Sequence, residues 1–354
     1  MASDKSKIYI DPSSNIIYSS YYVKGLYEVF GKENVKFSAG YFEGLDKKNE
    51  EYSYDAYMAF VILNEAKMHK VIVDFGDDSP VRKNAYQWCD VYSKININPA
   101  MLNDDKAKLL SITPGFGIKI WTVFEALYHS FSNLVKIKFS PQISIKNYFK
   151  SYLSQLKQLK IEEFSEGKWR NTQAKNDVFF ISSLWPHPNC LTGTNVYRKM
   201  FIESCLKYKV DFEGGFWVTD SNHPQFSEFR HLTFTGRYPL RQYIEKTKKS
   251  IFVFNTPAVH NCHGWKLGQF LAINKAIIST PFQNSLPEDL VHGENIHFVH
   301  NENEMDAAVE KLLHDENYRQ KLEEGARNYY LKYVSPVSVI TLITQKLKIS
   351  HCNE

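Results

Sequence analysis

The feature that most constrains this chain is an alternation of strands and helices that occurs twice. In the first stretch, short apolar runs at residues 8–10, 35–37, 59–63, 71–74, 91–97 and 109–113 are separated by polar turns and helical segments. The first run ends at Asp11 and Pro12, and a helical pattern then continues to Phe30 and stops at Gly31. A glycine just past the last periodic residue is a common helix terminator. The second stretch opens at Asp177, with runs at 178–181, 216–218, 232–234, 251–254 and 276–278 and helices expected at 196–208 and 265–273. Strands that alternate with helices point to βαβ units and a parallel sheet. Two such series in 354 residues give an α/β chain of about two domains, each read as a doubly wound parallel sheet.

Composition narrows the class. With 43% hydrophobic and 23% charged residues the chain is neither disordered nor a membrane bundle. Aromatic residues, at 15%, supply ample material for two cores. A net charge of +4 is too mild for a dedicated nucleic-acid binder, so no nucleic-acid partner is expected. The five cysteines are scattered and none has CxxC spacing, which indicates neither a disulfide framework nor a zinc ribbon. The first residues carry no secretory apolar core, and no window approaches ~18 apolar residues. The expected compartment is the cytoplasm.

The segment between the two series differs in character. Residues 118–131 read as an amphipathic aromatic helix, and 132–175 hold nine basic residues against three acidic ones. Residues 166–171 read as a linker. The lysines fit a packed helix with solvated tails. They also fit peripheral contact with an anionic membrane on its inner face, where each lysine contributes about 1 kcal/mol. At the carboxyl end, 302–333 is strongly helical, Pro336 interrupts, and a last helix is expected over 337–349.

Chemistry concentrates in residues 251–287. A strand leads into a polar loop, and a helix opens at His263, Gly264 and Trp265. In an open parallel sheet such loops lie at the carboxyl edge, where ligands bind. The amides at a helix start favour an anion such as a diphosphate. Gly264 permits close backbone approach and Lys266 adds a cation. By position alone, these residues read first as an ordinary βα loop with helix-capping residues.

The stretch continues through residues 288–299, an acidic helix start at Glu302 and Glu304, and the segment 311–330. This succession, over 227–336, resembles the carboxyl-terminal domain of GT-B glycosyltransferases, especially the group 1 (family 4-like) enzymes of bacterial surface-polysaccharide synthesis. The resemblance implies two Rossmann-like domains facing one another across a cleft. Residues 1–170 would take the acceptor and 171–335 the nucleotide sugar, with a helix at 336–354 packing back on the first domain. It also implies metal-independent transfer of a sugar from a UDP- or GDP-linked donor, with no cofactor, to a glycan or lipid-linked acceptor in polysaccharide, lipopolysaccharide or capsule synthesis.

The departures from the family pattern are specific. Asn261 and Gln269 stand where two glutamates usually meet the donor sugar and the ribose, and Asn274, Lys275 and Ala276 replace the usual Gly-x-Pro. The basic residues usual after the first strand of this domain are missing from 182–187. Glutamine can still hydrogen-bond a hydroxyl. The changes also fit a catalytically silent GT-B scaffold in a glycan-assembly complex, or a sugar-nucleotide epimerase of the same fold.

Further donor-contact candidates come from position. Trp185 follows the first strand of the domain, and residues 192–195, including Thr194, form a second candidate anion cradle. Arg198 or Lys199 lies one turn into the next helix. Arg237 and Tyr238 stand in a loop that in the family often meets the nucleobase. With His260, Asn261, His263, Gly264, Trp265, Lys266 and Gln269 they complete the candidate donor site. An inverting transfer needs a base beside the acceptor hydroxyl, and the candidates are Asp74, Asp77, Asp78 and His263. Asp77 and Asp78 lack the Asp-x-Asp spacing of metal-dependent GT-A enzymes. His260, Cys262 and His263 have no second pair of ligands at useful spacing, so no metal is expected. Taken singly, each of these residues also reads as a cap, a surface cation or a turn residue.

Overall fold

The computed structural model describes residues 6–45, 54, 56–64, 67–102, 107–137, 143–165, 176–218 and 222–351. The linker expected at 166–171, together with Lys138, Lys175 and Cys352, lies outside the described residues. The chain divides into two compact units. One comprises Met1–Ile161, Asn284–Glu288 and Leu331–Glu354, and the other Glu162–Gln283 and Asp289–Tyr330.

The first unit is built on six strands: β1 (Lys7–Ile10), β2 (Val35–Phe37), β3 (Tyr57–Asn64), β4 (Lys67–Asp74), β5 (Val91–Lys94) and β6 (Leu109–Ser111). They lie in the order β2-β1-β3-β4-β5-β6. β1 and β2 pair in parallel, as do β4, β5 and β6, but β3 runs antiparallel to both β1 and β4. The sheet of this unit is therefore mixed, which corrects the wholly parallel reading. The reason is connection length. Only residues 65–66 separate β3 from β4, and a crossover between parallel strands needs a dozen residues or more. The pattern misled because Tyr57 to Ile62 are all buried, and a run covered on both faces carries no alternation from which direction can be read. The helices here are α1 (Ile16–Phe30), α2 (Lys83–Trp88), α3 (Pro99–Leu102), α4 (Val123–Leu134) and α5 (Ile145–Gln155). α4 opens with a capping box in which Thr122 and Glu125 satisfy each other's amides.

The second unit follows the expected alternation closely. Its elements in chain order are α6 (Glu162–Ser165), β7 (Asp177–Ser183), α7 (Asn195–Lys207), β8 (Asp211–Trp217), α8 (Phe226–Phe229), β9 (Thr233–Phe234), α9 (Leu240–Lys249), β10 (Val253–Asn255), α10 (Trp265–Ala272), β11 (Ile277–Ser279), β12 (His297–Phe298), α11 (Glu302–His314) and α12 (Glu316–Tyr329). β7, β8 and β9 form one parallel sheet and β10, β11 and β12 another. The two meet where the Ile251 amide donates to the Asp177 carbonyl at 2.9 Å, and they share one apolar core containing Phe180, Phe216, Phe254 and Ile278. Read across both, the order is β9-β8-β7-β10-β11-β12. That is the doubly wound arrangement in which chain order reverses between the first and fourth strands.

The chain then returns to the first unit as α13 (Pro336–His351). The Tyr21 hydroxyl donates to the Val334 carbonyl at 2.8 Å, and the Thr113 hydroxyl to the Tyr333 carbonyl at 3.0 Å. α13 lies against α1 at Gly25, where a Cβ would stand 2.2 Å from the Pro336 carbonyl oxygen. The described part of the chain has no helix long and apolar enough to cross a membrane.

Candidate functional site

The strand-order reversal in the second unit leaves a crevice at the carboxyl ends of β7 and β10, because the helices leaving these strands diverge. A cavity of about 750 Å³ fills this position, within the range of small-molecule sites. The end of β7 contributes Phe180, Ile181, Ser182 and Ser183, and β10 contributes Phe254, Asn255 and the following Thr256. Trp217 enters from β8, Arg198 from α7, Gly236, Arg237 and Tyr238 from the loop before α9, and Gly264, Trp265 and Lys266 from the start of α10. Trp185, beyond the end of β7, also lines it.

Among the described residues the lining holds three cationic side chains and no carboxylate. Arg198 is buried and donates from Nη1 to the Ser183 carbonyl at 2.8 Å, and burial lowers its pKa to about 10. Lys266 donates from Nζ to the Ile181 carbonyl and lies over the Phe180 ring at 5.2 Å. Burial first, then the charge of Arg198, pushes its pKa down to about 7. Arg237 sits over the Trp217 ring at 5.8 Å, a cation–π arrangement. Tyr238 stacks on Phe234 and meets Phe179 edge-on, and its hydroxyl donates to Glu213.

The start of α10 adds backbone donors to these charges. Gly264 is its N-cap, extended at φ −82°, and no side chain caps the helix. A Cβ on Gly264 would meet nothing within 4 Å, so the space above the first turn is open. Open space, a helix start and nearby cations are the ordinary ingredients of an anion site.

The cavity therefore brings together Trp185, Arg237, Tyr238, Gly264, Trp265 and Lys266 from the sequence candidates. Thr194, His260, Asn261, His263 and Gln269 are not among its lining residues. Thr194 is buried and donates to the Pro257 carbonyl at 2.7 Å. His260 and Asn261 both adopt positive φ, at 53° and 57°. The His260 ring packs on His187 at 4.4 Å, and Asn261 accepts from Asn189 Nδ2 at 3.2 Å. These residues shape the loop that delivers Gly264. His263 is buried with its ring edge against Phe282, and Gln269 is buried in the middle of α10.

The candidate acids belong to the first unit. Asp74, at the end of β4, is fully buried and accepts from the Tyr92 hydroxyl, Lys94 Nζ at 3.0 Å and the Gly76 amide at 2.8 Å, with Arg82 Nε at 3.7 Å. Its carboxylate organises the sheet edge. Asp77 is exposed on the following loop, and Asp78 is half-buried beside Arg82 Nη2 at 3.4 Å. Among the described residues no three His, Cys, Asp or Glu side chains are grouped to hold a metal ion.

Of Arg198 and Lys199, it is Arg198 that lines the cavity, together with Ser182, Ser183, Trp217, Tyr243, Asn255 and Thr256. Five of these sit at or next to strand ends. The expected strands at 178–181 and 216–218 already carried that signal, because ligands approach a doubly wound sheet at its carboxyl edge.

No protein-family model and no curated protein matches the sequence. Among solved structures the chain is similar to MnaA of S. aureus in complex with UDP, at 12% identity and TM-score 0.42, covering 93% of this chain and 91% of that one. It is similar to TarM at 12% identity and TM-score 0.38, covering 86% and 80%. A glycosyltransferase from Rickettsia africae matches at 12% identity and TM-score 0.41, covering 78% and 69%.

Proposed function

We propose that the cavity of the second unit binds the nucleoside diphosphate portion of a UDP- or GDP-linked sugar. On this reading the chain is a GT-B glycosyltransferase that moves the sugar to a glycan or lipid-linked acceptor in surface-polysaccharide synthesis. One observation carries the reading: Arg198, Arg237, Lys266 and the uncapped start of α10 converge on one cavity whose described lining includes no carboxylate. A leaving diphosphate needs its charge neutralised as the glycosidic bond breaks, and pre-oriented cations and amides do this without a metal. The rings of Trp185, Trp217 and Tyr238 offer faces for a base or a sugar. The first unit would take the acceptor, and Asp77 and Asp78, on a solvent-accessible loop, are the base candidates for an inverting transfer. The reading puts the chain on the cytoplasmic side of the membrane, with no cofactor beyond the donor itself.

The test is a panel of nucleoside diphosphates and nucleotide sugars read by thermal shift. A ligand that binds only the native state stabilises it by about 3 kcal/mol at a hundredfold excess over Kd. Failure of every member of the panel to shift the transition sinks the proposal. Donor turnover then separates the enzyme from a silent scaffold, and product analysis with the nucleotide sugar alone separates transfer from epimerisation, which needs no acceptor.

A further inference from the structure

The polarity of α4 is inverted. Its inward positions are Ala126, Ser130 and Asn133, while the outward stripe at one-turn spacing is Phe124, Tyr128, Phe131 and, at the C-cap, Val135. These four are 85%, 68%, 58% and 84% exposed. The inward polar groups are built into the unit: Asn133 Nδ2 donates to the Tyr152 hydroxyl at 2.9 Å, and the Tyr148 hydroxyl donates to the Ser130 carbonyl at 2.8 Å. The helix therefore cannot turn over to hide its rings without breaking buried hydrogen bonds. On α5, Phe149 meets Phe131 at 5.5 Å between ring centroids, and Ile145 is 59% exposed. Among the described residues the two helices thus present exposed apolar side chains on adjoining surfaces, of a kind that monomeric proteins seldom leave bare.

Charge identifies what covers this face. Lys146 and Lys150 stand exposed on the outward side of α5, and Lys157 follows just beyond it. Between residues 118 and 160 the sequence holds seven lysines and a single acid, Glu125. Glu125 is already paired with Lys32 and engaged in the capping box, which holds its pKa down at about 2. No free carboxylate opposes the lysines within this stretch. A second copy of the chain docked here would set lysine against lysine. Aromatic residues flanked by lysines are the composition of a helix that lies in the interface of an anionic bilayer.

We propose that the outward face of α4 and α5 docks on an anionic lipid surface, with Phe124, Tyr128, Phe131 and Val135 entering the headgroup layer and the lysines of α5 meeting lipid phosphates. This inference is independent of the donor site and is tested without nucleotide. The purified full-length chain is floated with vesicles of phosphatidylglycerol and phosphatidylcholine in equal parts, and with vesicles of phosphatidylcholine alone. Flotation is expected with the anionic vesicles and is expected to weaken as salt is raised. The double variant Phe124→Ser, Phe131→Ser should lose binding by roughly tenfold or more, and Lys146→Gln by roughly fivefold. Because these positions are exposed, an unchanged thermal transition certifies that each variant is folded. The proposal is overturned if the parent chain floats with neither vesicle, or if the double variant floats as well as the parent. It is equally overturned if the parent sediments as a dimer that the double variant dissolves.

Discussion

The ammonium of Lys266, in the first turn of α10, donates to the main-chain carbonyl of Ile181 near the end of β7. This bond ties together the two edges of the crevice, and it places a cation that is half titrated near neutral pH beside the helix start. Lys266→Met keeps the length of the stem and removes the charge. The variant should fold, because it exchanges a buried ammonium for an apolar group. It should bind a nucleoside diphosphate about tenfold to a hundredfold more weakly, as a charge-assisted hydrogen bond is lost. Titration calorimetry against the ligand found by thermal shift reads the change, and equal affinity in parent and variant would remove Lys266 from the site.

The same residue predicts a pH dependence with a definite sign. Burial and Arg198 hold the free lysine at a pKa of about 7, and a bound anion favours the ammonium and raises it. Below pH 7 the site is already protonated and binding takes up no proton from this group. Above pH 7 each binding event must protonate Lys266, so Kd should rise with pH, by at most about tenfold per unit. Calorimetry in buffers of different ionisation enthalpy should report proton uptake at pH 8 in the parent and none from this group in Lys266→Met.

Gly264 gives a test that leaves the fold alone. Its φ of −82° and ψ of 165° suit any residue, and the space around its Cβ position is empty. Gly264→Val should therefore change stability by no more than about 0.5 kcal/mol. Its side chain would nevertheless project where an anion approaches the first amides of α10. The expected result is a normal thermal transition that nucleoside diphosphates no longer shift. A shift of parental size would take the anion away from this helix start.

Much of this site was legible in the sequence because a doubly wound sheet fixes where its carboxyl edge lies. Once runs 178–181 and 251–254 are read as strands, Trp185, Gly264, Trp265 and Lys266 fall near the crevice by topology alone. What position could not supply is side-chain direction within a helix or loop. Gln269 and His263 sit in the same sequence region yet turn into the interior, while Trp217, read only as the middle of a strand, lines the cavity. The antiparallel β3 escaped for a related reason. Its run, buried on both faces, carries no periodicity from which to infer a neighbour's direction. Buried charges were equally hidden, since nothing local to Asp74 reveals that Lys94, from the next strand, will meet it with both groups fully buried.

That pair predicts a large stability effect within the first unit. Asp74 and Lys94 are 3.0 Å apart and neither is exposed to solvent. Lys94→Met leaves the carboxylate with the Tyr92 hydroxyl, the Gly76 amide and the more distant Arg82, but without its closest countercharge. Removing one partner of a buried pair costs about 3–5 kcal/mol, so the urea midpoint should fall sharply. The double variant Asp74→Asn, Lys94→Met should recover part of the loss, because no charge is then stranded. A single variant within about 1 kcal/mol of the parent would mean that Arg82 alone can hold Asp74.

The return of the chain to its first unit is testable at Gly25, where an ordinary rule should reverse its sign. Glycine to alanine within a helix usually stabilises by about 1 kcal/mol, through backbone entropy. In α1, however, the added methyl would stand 2.2 Å from the Pro336 carbonyl oxygen and 2.7 Å from the Ile340 side chain, both on α13. The nearer atom belongs to the backbone and cannot swing aside, so the helices must separate. Gly25→Ala should therefore destabilise, by about 1–3 kcal/mol as overpacking does, and Gly25→Val by more. A chain truncated before Pro336 relieves the clash, so in that background the alanine should be neutral or stabilising. If Gly25→Ala stabilises the full-length protein, the close approach of α1 and α13 is wrong.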